Sequence, residues 1–283
     1  MWLSRYAGEV IETILNNLTG DVAEIAPLAM LFAALAIATK RDALVSALHR
    51  ARPEIVTNLA LLLTNAAIVV PLVGIPVMTG TSLIPRADAL VDFWASLPGA
   101  VSVIAGILLI DLAAYWRHRA EHARALWPIH AVHHADEAMN WLSLRRKHPL
   151  GEALAMILDN VIVIALGLPF WAIAVALILR AWWGYFIHAD VPWTLGPAGK
   201  MLISPAAHRL HHIRDEHLMG TNFGNTVTLW DRLFGTYLDP APYVNCETGI
   251  AEGTRDYLGE LARPFEARYW RKPEDPAVEQ PAN

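Results

Sequence analysis

Residues 99–122 read GAVSVIAGILLIDLAAYWRHRAEH. From Gly99 to Trp116 the only charge is Asp111, and a helix needs about 20 predominantly apolar residues to cross a bilayer core. Trp116 and Arg117 close the apolar run with an aromatic ring and a cation, side chains suited to a water–lipid interface. Immediately after them comes His118-Arg-Ala-Glu-His122, with two imidazoles four residues apart that share one helix face. Asp111 and Tyr115 extend that stripe back into the apolar run, at steps of four and three. One segment thus joins a membrane span to a pair of metal-ligand side chains.

The rest of the chain fits a membrane protein. Of its 283 residues 55% are hydrophobic and 17% charged, against about 25% charged in soluble domains, and the mean hydropathy is positive. The net charge of −5 with no basic block gives nucleic acid nothing to bind. The single cysteine, Cys246, cannot form an internal disulfide and excludes a cysteine-cluster zinc or iron–sulfur site. The eleven tryptophans suit two water–lipid interfaces. The opening MWLSRYAGEVIETILNNLTG is amphipathic rather than a basic stretch before an apolar core, so no cleavable signal peptide is expected.

Three further apolar stretches predict membrane segments. Residues 25–39 are uncharged and end at Lys40-Arg41; they are short for a span, and Val22 to Ile25 could extend them. Residues 55–78 contain Pro71 and Pro76, which should bend their far end. Residues 161–187 are broken by Gly167-Leu168-Pro169, which predicts two half-length helices in a short or re-entrant hairpin. Lys40, Arg41, Arg50 and Arg52 lie between the first two spans, Arg117, Arg119 and Arg124 follow the third, and Arg145, Arg146 and Lys147 precede the hairpin. The positive-inside rule puts all the histidine clusters and the C-terminus in the cytoplasm, which means the inner membrane if the source is bacterial. Beyond residue 188 the chain is mixed and polar, and the proline-containing tail after Arg271 is expected to be disordered. The predicted fold is an all-α, multi-pass integral membrane protein with about four or five membrane segments and a cytosolic helical cap. It divides into N-terminal membrane segments (1–98), a catalytic region (99–240) and a cytosolic, partly disordered tail (241–283).

Besides His118 and His122, two clusters, His130-Ala-Val-His133-His134 and His208-Arg-Leu-His211-His212, have i, i+3, i+4 spacing, which predicts three rings on one side of a helix. Imidazole suits iron, zinc, copper or nickel, and one ion takes at most about six ligands; these eight histidines therefore suit two metals. A lone histidine such as His49 or His217 is ordinarily a packing or surface residue. Dense clusters differ, because so many half-ionised rings together are unfavourable without a metal to hold them neutral. Zinc is the rival ion, yet HRAEH is not the HExxH arrangement, and catalytic zinc wants only three protein ligands and a water. A metal transporter or metal-binding membrane protein is the rival class, and it should place its ligands at mid-span rather than after Arg117.

The spacing HxxxH, HxxHH, HxxHH resembles the fatty acid hydroxylase/sterol desaturase superfamily over residues 105–240. Asn222-Phe223-Gly224 and Trp230-Asp231-Arg232-Leu233-Phe234-Gly235-Thr236 are similar to its NYG…WDRxFGT signature, and His130-Ala-Val-His-His-Ala-Asp-Glu137 is most similar to the alkylglycerol monooxygenase branch. The resemblance implies a non-haem di-iron centre held by His118, His122, His130, His133, His134, His208, His211 and His212. It adds His188, after the hairpin, and His148 of Lys147-His148-Pro149, an element of the sterol-oxidising members that the alkylglycerol branch lacks. Gly184 stands where some fatty acid 2-hydroxylases carry a further histidine, a departure from that subgroup. Beside the clusters, Glu121, Asp136, Glu137, Asp190 and Asp215 are candidate partners for the outer N–H of ligating imidazoles, and Asp111, a carboxylate inside a span, is functional or paired. Trp230 and Asp231 are expected to cap or pack the cytosolic region.

The implied reaction uses O2 and external electrons to oxidise an unactivated C–H bond of a fatty acyl, sterol or isoprenoid, or alkyl-glycerol lipid. Hydroxylation, desaturation and ether cleavage are not separated by the residues. With no flavin, haem or nucleotide fingerprint in the chain, electrons are expected from a separate reductase, ferredoxin or cytochrome.

Overall fold

The computed structural model describes Gly20 and residues 25–82, 84, 87–165 and 167–270. The amphipathic opening and the tail beyond Arg271 lie outside the described residues.

Helix α1 (residues 25–40) runs to Lys40, where Arg41 takes a φ of 45° and the chain turns through Arg41–Ala43 into α2 (Leu44–Thr64). Left-handed backbone at a non-glycine residue breaks a helix. A continuous helix over Ile25–Val77 would count 53 residues, about 80 Å at 1.5 Å per residue, far more than a bilayer core; the break divides it. After Thr64 the helix widens into a π-helical stretch, Asn65–Gly74, before Ile75–Ser82. Pro71 accounts for the widening, since its ring would clash with the carbonyl four residues back in a tighter helix. The second apolar helix therefore begins well before residue 55. Its early part is polar and buries Glu54, Thr57 and Asn58.

Helices α3 (Asp88–Ser96) and α4 (Gly99–Glu121) follow, then α5 (Trp127–His134), a 3-10 turn (Trp141–Arg145) and α6 (Pro149–Ala165). Gly167, at φ 66°, makes the turn into α7 (Phe170–Ile187), and a Cβ there would lie 2.8 Å from Leu90 Cβ. The expected hairpin is present, but its arms count 17 and 18 residues rather than half a span each. The first arm starts at Pro149, where a proline at the first helical position costs no hydrogen bond. Among the described residues, three helical stretches, Ile25–Val77 (divided at Arg41), Gly99–Glu121 and Phe170–Ile187, are long and apolar enough to cross a membrane.

α4 packs on α7 through small residues: a Cβ on Gly106 would meet Ala176 Cβ at 3.3 Å, and Ile110, Leu168, Ile173 and Ala176 form the buried seam. Close backbone approach of this kind suits helices that share a membrane. Asp111 lies fully buried in that interface and is paired: it accepts from Arg180 Nη2 at 3.1 Å and from the backbone N–H groups of Thr226 and Val227. α1 joins the bundle where Phe32 stacks on Trp141, with ring centroids 5.3 Å apart. Outward faces stay apolar, with Phe170, Trp171, Ile178 and Trp182 exposed on α7 and Leu31 and Ile37 on α1.

The remaining chain is short helices and loops: α8 (Pro205–His211), α9 (Leu229–Leu233), α10 (Tyr257–Ala262) and α11 (Ala267–Trp270). Among the described residues the only β pairing is two isolated bridges, Leu202 with Val227 and Ile213 with Thr248.

Candidate metal centre

Four helices end at one place. His118 lies in the last turn of α4 and His122 caps it; His130, His133 and His134 lie on α5; His188 caps α7; His208 and His211 lie in the last turn of α8, which His212 caps. α8 is positioned at its start by Ser204, whose hydroxyl accepts from Ala207 N at 3.1 Å, with Pro205 next. Helix C-termini carry partial negative charge, so four of them converging favour a cation.

The nine imidazoles fall into two sets, His118, His122, His130, His134 and His211 in one and His133, His188, His208 and His212 in the other, each with ring nitrogens within 4.8 Å of one another. The sequence suggested three rings gathered on one side of each HxxHH helix; the structure splits both triplets. Residues i and i+4 are about 40° apart around a helix, whereas i+3 lies about 60° to the other side. On α5 the pair His130/His134 therefore faces one set and His133 the other. On α8 the roles reverse, with His208/His212 facing the second set and His211 the first.

Backbone carbonyls orient the rings. Nδ1 donates to Phe223 O from His118 at 2.9 Å, to Thr221 O from His211 at 2.7 Å, to Arg146 O from His133 at 3.2 Å and to Gly184 O from His188 at 2.6 Å. A carbonyl only accepts, so these rings carry their proton on Nδ1 and turn the Nε2 lone pair inward. The Nε2 atoms of His118 and His211, both thereby acceptors, lie 2.9 Å apart. Two facing lone pairs repel unless a cation lies between them. Five further buried ring nitrogens have no hydrogen-bond partner: His122 Nε2, His134 Nδ1, His208 Nδ1 and both of His212. Donor chemistry, inward lone pairs and orphaned nitrogens all fit metal ions.

Burial, reinforced by the neighbouring imidazoles, pushes His122, His130, His133, His134, His208, His211 and His212 well below the usual histidine range. Burial likewise lowers His188 to about 4. At neutral pH these rings are uncharged, the state a metal requires.

His148 stands apart. It belongs to neither set, and both its nitrogens are taken: Nδ1 accepts from Leu150 N at 3.1 Å, and Nε2 donates to Leu261 O at 3.2 Å. Of the carboxylates expected to hold imidazoles, only Glu121 does so, with Oε2 3.4 Å from His130 Nδ1. Asp136 is buried, accepting from Asn58, Ser143 and Ala138 N. Glu137 pairs with Arg214, Asp190 with Lys40 and Arg209, Asp111 with Arg180, and Asp215 accepts from His217 N.

Two supports carry no metal-ligand signature in the sequence. Asp231 accepts from Phe223 N at 2.7 Å, Gly224 N at 2.9 Å and Thr236 Oγ1 at 2.7 Å, fixing the turn whose Phe223 carbonyl seats His118. Asn222 enters that turn at φ 52°, and a Cβ on Gly224 would lie 2.6 Å from Val227 O, which explains Asn-Phe-Gly there. Arg146, whose carbonyl seats His133, is fully buried and donates to Glu54, Asn58, Val132 O, Thr254 and Glu260; Glu260 also pairs with buried Arg263.

Fold and site together define a membrane-embedded helical protein with a histidine-built metal centre. Residues 103–236 match the fatty acid hydroxylase family model. The chain is 27% identical over 193 residues to ornithine lipid hydroxylase OlsE of Rhizobium tropici, covering 67% of this chain and 58% of that one. It is 31% identical over 129 residues to alkylglycerol monooxygenase of Homo sapiens, 45% of this chain and 28% of the relative. It is 26% identical over 144 residues to lathosterol oxidase of Rattus norvegicus, 50% and 47%. The superfamily and the branch read from the residues thus both appear among its relatives, although the matches span only about a quarter to three fifths of those proteins. No solved structure matches the chain significantly.

Proposed function

We propose that this chain is a multi-pass, non-haem di-iron membrane oxygenase that uses O2 and external electrons to hydroxylate or desaturate a lipid. The observation that carries the reading is the pair of facing imidazole sets, buried or half-buried, with the lone pairs of His118, His211, His133 and His188 turned inward. Two irons, held by the five-histidine and four-histidine sets, would supply the reduction of O2 and the oxidation of a C–H bond. The chain's own residues do the rest. Carbonyls of Phe223, Thr221, Arg146 and Gly184 and the Glu121 carboxylate fix tautomers and ring angles, and a cavity of about 340 Å³ lined by His118, His130, His133, His188 and His208 receives the substrate. Apolar walls from Leu62 of α2, Ala66 and Val70 of the π-helical stretch and Leu177 and Ala181 of α7 guide a chain toward it and exclude water.

α1, the apolar part of α2, α4 and α7 are read as the passes, with the histidines and C-terminus on the cytoplasmic side, where a separate reductase, ferredoxin or cytochrome delivers electrons. Ligands at helix ends rather than mid-span support an enzyme over a transporter. The printed names of the relatives (a lipid hydroxylase, an alkylglycerol monooxygenase, a sterol oxidase) support a lipid substrate. The test is elemental analysis with Mössbauer spectroscopy on untagged protein in detergent. Two coupled irons per chain support the reading, and a zinc that iron cannot displace without loss of fold overturns it.

A further inference from the structure

The cavity reaches the metal centre from one side. His118, His130, His133, His188 and His208 line it, with Leu126 and Ile129 at the start of α5. A lipid seated there closes that side, so electrons must arrive from another. His122 and His134, members of the five-histidine set, are not among the cavity's walls, and one indole lies against both. The ring centroid of Trp127 is 5.3 Å from that of His122, 5.4 Å from His134 and 6.3 Å from His130. Among the described residues no other tryptophan or tyrosine is in ring contact with any of the nine imidazoles.

Trp127 also reaches the surface. It is half-buried. Successive residues turn about 100° around a helix, so Trp127 faces with Ala131 and Ala135 away from the cavity, onto a core that Ile250 and Met219 share. Exposed stretches flank this core in the chain: 123–125 before Trp127, 214–217 before Met219 and 251–252 after Ile250. Phe223 touches His118, His122 and His211, but it is buried and gives no access from outside. Among the described residues the four-histidine set makes ring contacts only with imidazoles. Packing asks only for apolar volume over Ala131, Ala135 and Ile250, whereas a half-exposed indole against two histidines of the set does more. Electron transfer slows exponentially with the gap between redox groups, and this ring fills part of that gap.

We propose, resting on the oxygenase reading above, that Trp127 is the electron entry of the metal centre, and that the redox group of a one-electron carrier protein comes nearest to the centre over this ring. Electrons and substrate then reach the histidines from different faces of α5, and neither blocks the other. Each transfer oxidises the carrier by one electron and reduces one ferric ion to ferrous, so two transfers return both ions to the ferrous state. Trp127 couples the two redox groups without being oxidised or reduced, and no proton moves at it. It is a positioning residue, part of the path rather than of the C–H chemistry.

The test reads electron arrival in full-length, iron-loaded protein in detergent, with neither O2 nor lipid substrate present. A ruthenium bipyridyl sensitiser is attached at Ala251→Cys, with Cys246→Ser removing the native thiol, and ascorbate supplies the electron that each flash delivers. Reduction of the ferric centre is expected to slow tenfold or more in Trp127→Leu and to recover most of its rate in Trp127→Phe, which keeps a ring. The thermal midpoint should match the parent in both. The rate constant is first-order, so partial loss of iron in a variant leaves it unchanged. Free ruthenium tris-bipyridyl, too large for the cavity and able to approach any part of the surface, should show the same slowing in Trp127→Leu. A tethered rate unaffected by leucine, a phenylalanine variant as slow as the leucine one, or a free-complex rate unaffected by leucine each overturns the proposal. Iron content is measured before the flash: protein that takes up no iron overturns the oxygenase reading and this proposal with it, whereas unaltered rates in loaded protein overturn this proposal alone.

Discussion

At the scale of single residues, the centre depends on atoms that identity alone does not advertise. Asp231 is buried and accepts three hydrogen bonds. In Asp231→Asn the amide must turn one N–H toward a backbone donor, so stability should fall by about 1–3 kcal/mol, the cost of a buried donor left unsatisfied. His118 should lose its seat with it. Chemical unfolding in detergent and metal content check both, and a variant with wild-type values in each would remove Asp231 from the support. The buried histidines also fix a pH response. An unfolded imidazole takes up a proton below about 6.5, whereas His188 does so only near 4 and others lower than usual. In that interval the unfolded chain binds more protons, so stability declines as pH falls from 6.5 toward 4 and is flat above. Thermal midpoints of metal-free protein should drop between about pH 7 and pH 5 and barely change between 7 and 8. Carboxylate partners for the rings were expected from their places beside the clusters; the molecule uses carbonyls for four rings and a carboxylate, Glu121, for His130. Nothing in a sequence distinguishes the carbonyl of Phe223 from any other, so only Glu121, one turn from His118, was within reach of inference.

At the scale of elements, the reading went further. The apolar run from Gly99, the break at Gly167-Leu168-Pro169 and the HxxxH pair all lie where periodicity and turn chemistry put them. The start of α2 did not, because His49, Arg50, Arg52 and Glu54 interrupt the apolar pattern there. The division of the HxxHH triplets was likewise hidden, since spacing fixes relative angles on one helix but not which neighbour each ring faces. It yields a sharp expectation. His133→Ala should deplete the four-histidine set and His134→Ala the five-histidine set, each losing metal from one set and all turnover, while His217→Ala, outside both, should lose neither. Iron quantification with Mössbauer spectra separates the two variants, and identical spectra from both would contradict the division.

At the scale of the whole molecule, residues far apart in sequence share one buried ionic lattice. Arg146 and Arg263 are balanced by Glu54 and Glu260, and all four are buried. Glu54 and Glu260 both lie outside the stretch that matches the family profile, which ends at 236. Glu260→Ala would leave two buried guanidinium groups short of an anion and should cost about 3–5 kcal/mol. It should also weaken metal retention at the set containing His133, whose carbonyl seat is Arg146. Unfolding in detergent and competition with a chelator measure the two effects, and loss of stability with unaltered retention would confine the lattice to a structural role.

That lattice also dictates an order of manufacture. The ribosome delivers His118 to His134 early and His208 to His212 much later, and Glu260, which locks the seat of His133, emerges after every ligand. Neither histidine set can be complete before α8 is made, because each draws a histidine from it. A metal bound by a complete set is therefore acquired only once the six histidines that precede α8 have already been made.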